Sequence, residues 1–171
     1  ETALALVLLI GAALLIRTFV VLRLVHPGFD AHNVLTLTVP MTAPRYQTTA
    51  AVDNFHRQAV ERLEGLPGVL AAAPAICLPV QNYGIDLPFA IEGRPPAGNS
   101  PYHGDEFWRY VGPHYFSALK IPLLRGRVFD QRDTGQATPV ALINEAMAKK
   151  YWPQEDPLGA RITIARGLGP E

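Results

Sequence analysis

A single cysteine, Cys77, stands among 171 residues. An intrachain disulfide and a thiolate metal cage are therefore excluded. Cys77 lies in the apolar run AAAPAICLPV, where a free thiol is expected to serve as a small buried hydrophobe and not as a nucleophile. Serine is nearly as scarce: Ser100 and Ser117 are the two present, and neither lies in a G-x-S-x-G elbow. Neither G-x-x-x-x-G-K-[ST] nor G-x-G-x-x-G occurs, so the chain does not bind ATP through a phosphate loop of its own. The five histidines, at 26, 32, 56, 103 and 114, form no H-E-x-x-H and sit at no close carboxylate spacing. An excess of either charge is also missing: 15 basic and 15 acidic residues leave a net charge of zero. No basic face is implied, and nucleic acid is not an expected partner. Lysine appears only at 120, 149 and 150.

The residues of chemical interest that remain are few. Asp130 and Asp133 follow Arg127 in RVFDQRD, a spacing that suits a turn with local Arg–Asp pairing better than acid–base catalysis. His114-Tyr115 near Arg125 and Arg127 imitates an anion site, but exposed ion pairing is the expected state of such groups. No catalytic, cofactor-binding or metal-ligating residue is assigned, no cofactor is expected, and the chain does not read as an enzyme.

The feature that stands out is TALALVLLIGAALLIRTFVVLRLV, Thr2 to Val25. From Ala3 to Ile16 it carries no charged or strongly polar side chain, and His26-Pro27-Gly28 then stops it. A helix from Ala3 to Val25 would be roughly 34 Å long, enough for a hydrocarbon core of about 30 Å. A helix apolar on every face must be surrounded by lipid or protein. Arg17 and Arg23 fall in its last turns, where long side chains snorkel to headgroups. A buried core helix, a signal-peptide core and a surface anchor compete with a membrane span. The signal reading lacks a basic n-region and an A-x-A-like cleavage site. The surface anchor is opposed by the two arginines lying on different faces. Residues 1–25 are expected to be a transmembrane helix, truncated at its N-terminus in a chain that reads as a piece of a longer protein. Counting Arg17 and Arg23 by the positive-inside rule would place residues 26–171 in the cytoplasm, but only one flank is available to count.

Residues 26–171 read as an α/β domain. NVLTLTV (33–39) alternates with period two, as a strand with one buried face does. Thr48 or Thr49 caps a helix through Leu63, with Val52, Phe55, Ala59 and Leu63 on its apolar stripe and Asp53, Arg57, Glu61 and Arg62 on its wet side. Gly65 suits a left-handed C-cap and Pro67 stops the helix. Val69 to Leu78 reads as a buried strand weakened by Pro74, which completes a βαβ unit. The Pro- and Gly-rich stretch 79–105, with a short strand at Phe89 to Glu92, reads as a small β-rich insert lobe. Then come a strand at EFWRYV (106–111), a short helix opened by Pro113, an extended connection 121–129 and a strand at PVALI (139–143). A helix capped by Asn144 comes next, with Met147 and Tyr151 on one face and Lys149 and Lys150 in its last turn. Pro153 ends it, Leu158-Gly159 makes a turn, and a final strand runs from Arg161 to Ile164. Two α/β halves around one sheet predict a ferredoxin-like α/β (α+β) sandwich with helices on one face.

Five phrases in order, LVLLIGAALLIR (6–17), HPGFDAHNVLTL (26–37), FHRQAVERLEGLPGV (55–69), VGPHYFSALKIPLLRGRVF (111–129) and PVALINEAMAKKYWPQEDPLGARI (139–162), resemble the MacB-like periplasmic core domain of bacterial FtsX-like ABC transporter permeases. Gly112 and His114 stand where that family commonly has small residues, often Ser and Gly, and Lys120 where it commonly has Gly. The resemblance implies a transmembrane helix running directly into an extracytoplasmic domain, with the whole anchored in a bacterial inner membrane. That places residues after about 26 in the periplasm, against the one-sided arginine count. It implies a separate ABC ATPase subunit as the energy source and a second permease, or second half of the same permease, as a partner. A periplasmic adaptor or substrate protein is a further expected partner. The domain would relay ATP-driven motion to export or efflux of cargo such as lipoproteins, peptides or macrolide-like drugs. A membrane-anchored sensor or ligand-binding module is the alternative.

Overall fold

The computed structural model describes residues 2–81 and 85–164. It opens with α1, Thr2–Leu24, an unbroken helix with no buried residue. A 3₁₀ turn, Pro44–Tyr46, precedes α2, Thr49–Glu64. Then come β1, Ile85–Ile91, and β2, Gly104–Trp108. The single turn α3, Tyr115–Ala118, the helix α4, Glu145–Tyr151, and the strand β3, Ile162–Ile164, complete the order.

Both expected helix caps form. Thr48 Oγ1 accepts from the Ala51 N–H at 3.2 Å, and Asn144 Oδ1 accepts from the Met147 N–H at 2.7 Å. Each satisfies a donor that the first turn of a helix leaves unpaired. The stripe on α2 is as expected, with Val52, Phe55, Ala59 and Leu63 half-buried and Asp53, Arg57, Glu61 and Arg62 exposed. Tyr46 from the 3₁₀ turn closes against it, edge-on to Phe55 with ring centres 5.3 Å apart. The cap at the far end differs from expectation. Gly65 is right-handed (φ −73°), and its N–H bonds back to Glu61 O at 3.1 Å. The left-handed glycine is Gly68, at φ 87°, so the chain completes its helical turn before Pro67 and reverses after it.

The sheet has three antiparallel strands in the order β2-β1-β3. Phe89 of the central strand faces Gly104 on one side and Ile164 on the other. Strand β1 begins four residues before the expected Phe89, because it runs through Pro88. A proline lacks the N–H that a central strand normally uses. Here Phe89 O and the Ile91 N–H turn toward β2 and His103, and the Glu92 N–H turns toward Arg161. The missing donor of Pro88 therefore falls on the β3 side, where the described pairing starts only at Phe89.

One face of this sheet is covered by α4. Phe89, Ile91 and Trp152 are buried, with Trp108, Ile143, Met147, Tyr151 and Ile162 packed around them. Phe89 meets Tyr151 and Trp108 edge-to-face, with ring centres at 4.9 and 6.2 Å, the geometry the ring quadrupoles favour. The predicted positions of Met147 and Tyr151 on one face of this helix are thus realised.

The βαβ unit is a correction. Residues 33–39 lie in no strand, and their apolar set is exposed: Leu35 by 91%, Leu37 by 64% and Val39 by 41%. Alternation shows that a segment can line a sheet face; it does not supply a neighbour for its hydrogen bonds. No described segment pairs with it as a strand. Residues 69–78 make only the isolated bridge Ala75↔Val111, flanked by Ile76 N–H to Tyr110 O at 3.1 Å and Gly112 N–H to Pro74 O at 2.9 Å. Pro74 has no donor to extend this pairing. The stretch 139–143 sends Ile143 into the core but joins no ladder. The strand expected at 106–111 starts two residues earlier and ends three earlier, at Trp108. Residues 82–84 of the 79–105 stretch and the end of the 26–171 span, from 165 on, fall outside the described residues.

Candidate functional site: the exit of the N-terminal apolar helix

The helix α1 is long and apolar enough to cross a membrane, with 23 residues of mean hydropathy 2.6 in its best window and none buried. Its one mid-helix hydroxyl, Thr18 Oγ1, donates to Leu14 O at 2.9 Å, so this hydroxyl is satisfied within the helix. Near its end Arg23 lies over the Phe19 ring, 5.8 Å from the ring centre.

The chain leaves this helix through His26-Pro27-Gly28, all exposed, with Gly28 at φ 81°. Two residues later it is fastened. The Asp30 N–H donates to Leu119 O at 2.9 Å, just past the end of α3. The Asp30 carboxylate accepts from Lys120 Nζ at 2.6 Å and from the His32 N–H at 2.8 Å, and His32 Nδ1 lies 2.8 Å away. The Lys120 ammonium, with the His32 backbone N–H second, holds this carboxyl well below the usual carboxylate range. The exit of α1 therefore docks against α3 and not against the sheet.

The other end of α3 is fastened to α2. His114 Nδ1 meets Glu64 Oε1 at 2.7 Å, and the same oxygen accepts the Ala72 N–H at 3.1 Å. The Ala72 N–H, with a smaller contribution from His114, lowers the Glu64 pKa. Between these ends Tyr115 and Leu119 are buried, and so is Cys77, at 5% exposure. Burial, with Cys77 adding to it, pushes the Tyr115 hydroxyl pKa up.

The backbone carries an unusual demand here. His114 (φ 68°) and Lys120 (φ 51°) bracket α3 in left-handed conformations without being glycine. Such a conformation costs an L-residue roughly 1–2 kcal/mol. These are two of the positions at which the sequence departs from its family resemblance. Glycine would be free of strain at both, and both side chains present instead make long-range polar contacts with carboxylates.

Beside α3 lies an open, mainly apolar groove of about 670 Å³ floored by Phe116, Ile121, Val128 and Phe129. Its rim includes Asp130 and Arg132, which pair with each other at 2.7 Å. Arg127 grips Asp133 with both guanidinium nitrogens, at 2.7 and 2.6 Å. The RVFDQRD segment is thus the ion-paired turn that its spacing predicts. The groups of the imitated anion site are engaged elsewhere: His114 with Glu64, Arg125 with Asp156 at 2.6 Å, and Arg127 with Asp133. His103 accepts the Ile91 N–H through Nδ1 at 3.0 Å, and His26 and His56 lie apart from it. The two serines serve local turns. Ser117 Oγ donates to His114 O at 2.8 Å, and Ser100 Oγ accepts the Tyr102 N–H at 3.1 Å.

Sequence reasoning missed the pairs that span the chain. Asp30 with Lys120, Glu64 with His114, and Glu106 with Lys150 and Tyr151 are separated by 90, 50, 44 and 45 residues. The signal that was legible for the first two was a side chain where glycine would be less strained.

A bare apolar helix, long enough to cross a membrane, is thus fastened within a few residues to a small mixed α/β body. Comparison with known proteins defines the class. The MacB-like periplasmic core domain matches residues 2–169, and the chain belongs to that family, a domain of ABC transporter permeases. Among curated proteins it is similar to the macrolide export ATP-binding/permease protein MacB of Rhodospirillum rubrum, with 30% identity over 118 residues. That alignment takes in 68% of this chain and only 16% of the relative's length. No solved structure matches.

Proposed function

We propose that this chain is the periplasmic relay of an ABC transporter permease, with residues 1–25 as the membrane helix and 26–171 as the domain it moves. The observation that carries the reading is the fastening of Asp30 to Leu119 and Lys120. A displaced helix transmits force only to what it is rigidly joined to, and a flexible linker would absorb the motion. Here the exposed link is the short run His26-Pro27-Gly28.

In this reading the energy comes from an ABC ATPase subunit on the other side of the inner membrane, and the chain performs no chemistry of its own. A second permease, or a second half of the same one, completes the pair. A periplasmic adaptor or a substrate protein meets the domain outside. The name of the curated relative favours macrolides among the cargo classes. The ferredoxin-like sandwich belongs to the same proposal: segments 33–39, 69–78 and 139–143 keep strand-forming sequences that neighbouring strands would pair. The stretch 79–105 is its β-rich insert lobe.

The deciding experiment inserts a Gly/Ser segment after Gly28 in the full-length transporter. Expression and ATP hydrolysis should persist while cargo moved per ATP falls. Transport at the wild-type rate would overturn the relay. The groove beside α3 favours the second reading, a membrane-anchored ligand-binding module. A full reading frame with one further span and a cytoplasmic signalling domain would select it over a permease with several more spans.

A further inference from the structure

We propose that α3 with its two flanking residues is a clamp, in which Lys120 and His114 are positioning residues that tie the exit of α1 and the end of α2 to one turn of helix. The proposal deepens the relay reading, but its geometry stands apart from transport.

Three observations converge on this turn. First, both residues occupy left-handed backbone where glycine is free of strain. Second, both side chains on that strained backbone contact distant segments: Lys120 reaches Asp30 at 2.6 Å and His114 reaches Glu64 at 2.7 Å. With side chains 62% and 49% exposed, the two donors form pairs that contribute little stability. An exposed pair set on strained backbone is a poor stabiliser, but it fixes where two segments lie. Third, the turn between them is itself anchored, because Tyr115 and Leu119 are buried. Leu119 O takes the Asp30 N–H, and Gly112 N–H holds Pro74 O. Two segments distant in sequence, the exit and the end of α2, therefore converge on a single helical turn, and residues 74–76 are held to Tyr110 and Gly112 just ahead of it. A displacement arriving at Asp30 has a path through α3 to Glu64 that avoids the sheet.

The test is amide hydrogen exchange on the full-length protein in lipid nanodiscs. Lys120→Gly and His114→Gly remove the side chains while relaxing the backbone, so both variants should fold. In Lys120→Gly the Asp30 amide should exchange about two- to fivefold faster while α2 keeps its protection. In His114→Gly the amides of 115–121 should lose protection, with Asp30 affected less. Lys120→Arg should retain the wild-type pattern. Unchanged Asp30 exchange in Lys120→Gly, or a higher melting temperature with no exchange change in either variant, would overturn the clamp. Loss of protection with undiminished transport would support the clamp and overturn the relay. Loss of transport with Asp30 protection intact would overturn the clamp alone.

Discussion

A β-carbon built on Gly104 would stand 2.1 Å from the Tyr151 hydroxyl. That hydroxyl donates to Glu106 Oε1 at 2.8 Å, and Lys150 Nζ donates to the same oxygen at 2.8 Å. Strand β2 and helix α4 are thus held together across a gap that only glycine leaves open. The Lys150 ammonium, as the first cause, lowers the Glu106 pKa, and burial raises that of Tyr151.

Gly104→Ala should therefore cost about 1–3 kcal/mol, because the tyrosine must leave its rotamer and its bond to Glu106. Urea unfolding of the variant beside wild type measures this. A neutral result would mean that Tyr151 moves freely and does not fix the helix on the sheet.

Phe89 is fully buried at the centre of the aromatic cluster, while Phe107 on the neighbouring strand is 60% exposed. Phe89→Ala should destabilise by about 3–5 kcal/mol, and Phe107→Ala by no more than about 0.5 kcal/mol. Equal losses in the same unfolding assay would refute the assignment of faces.

The acid response has a definite sign. Asp30, Glu64, Glu106, Asp130, Asp133 and Asp156 all have pKa values lowered by hydrogen-bonded or ionic partners. Below the ordinary carboxylate pKa of about 4 the unfolded chain binds more protons than the folded one, so stability falls as pH falls. The melting temperature should be flat with respect to these groups from about pH 5 upward and decline steadily below about pH 4. Melts across that range check it, and a rise toward acid would contradict the pairings.

Cys77, Tyr115 and Leu119 are all buried. A thiol reagent should modify Cys77 only as the protein unfolds. Cys77→Ala should cost about 1 kcal/mol, and Cys77→Ser about 1–3 kcal/mol, because a serine hydroxyl buried without a partner keeps its full desolvation cost. Fast labelling of the native protein would show that the pocket opens.

The structure also explains where sequence reading stopped. The caps at Thr48 and Asn144, the stripe of α2 and the Arg127–Asp133 turn depend on residues within one helical turn or one loop, and these were legible. Leu35, Leu37 and Val39 carry the pattern of a strand, yet pairing requires a neighbour, and none of the described segments provides one. The short strand expected from Phe89 begins earlier, at Ile85, because the missing donor of Pro88 faces the side on which pairing has not begun.

From the sequence alone came the apolar span, the family resemblance, the helix caps at Thr48 and Asn144 and the absence of a phosphate loop. Each is a property of composition or of neighbours along the chain. Tertiary structure decided that the sheet is antiparallel, with Phe89 at its centre. It also decided that the exit of the apolar helix α1 is fastened to α3 through Asp30 and Lys120. Those facts depend on which distant residues meet, and no local pattern encodes a contact across 90 residues.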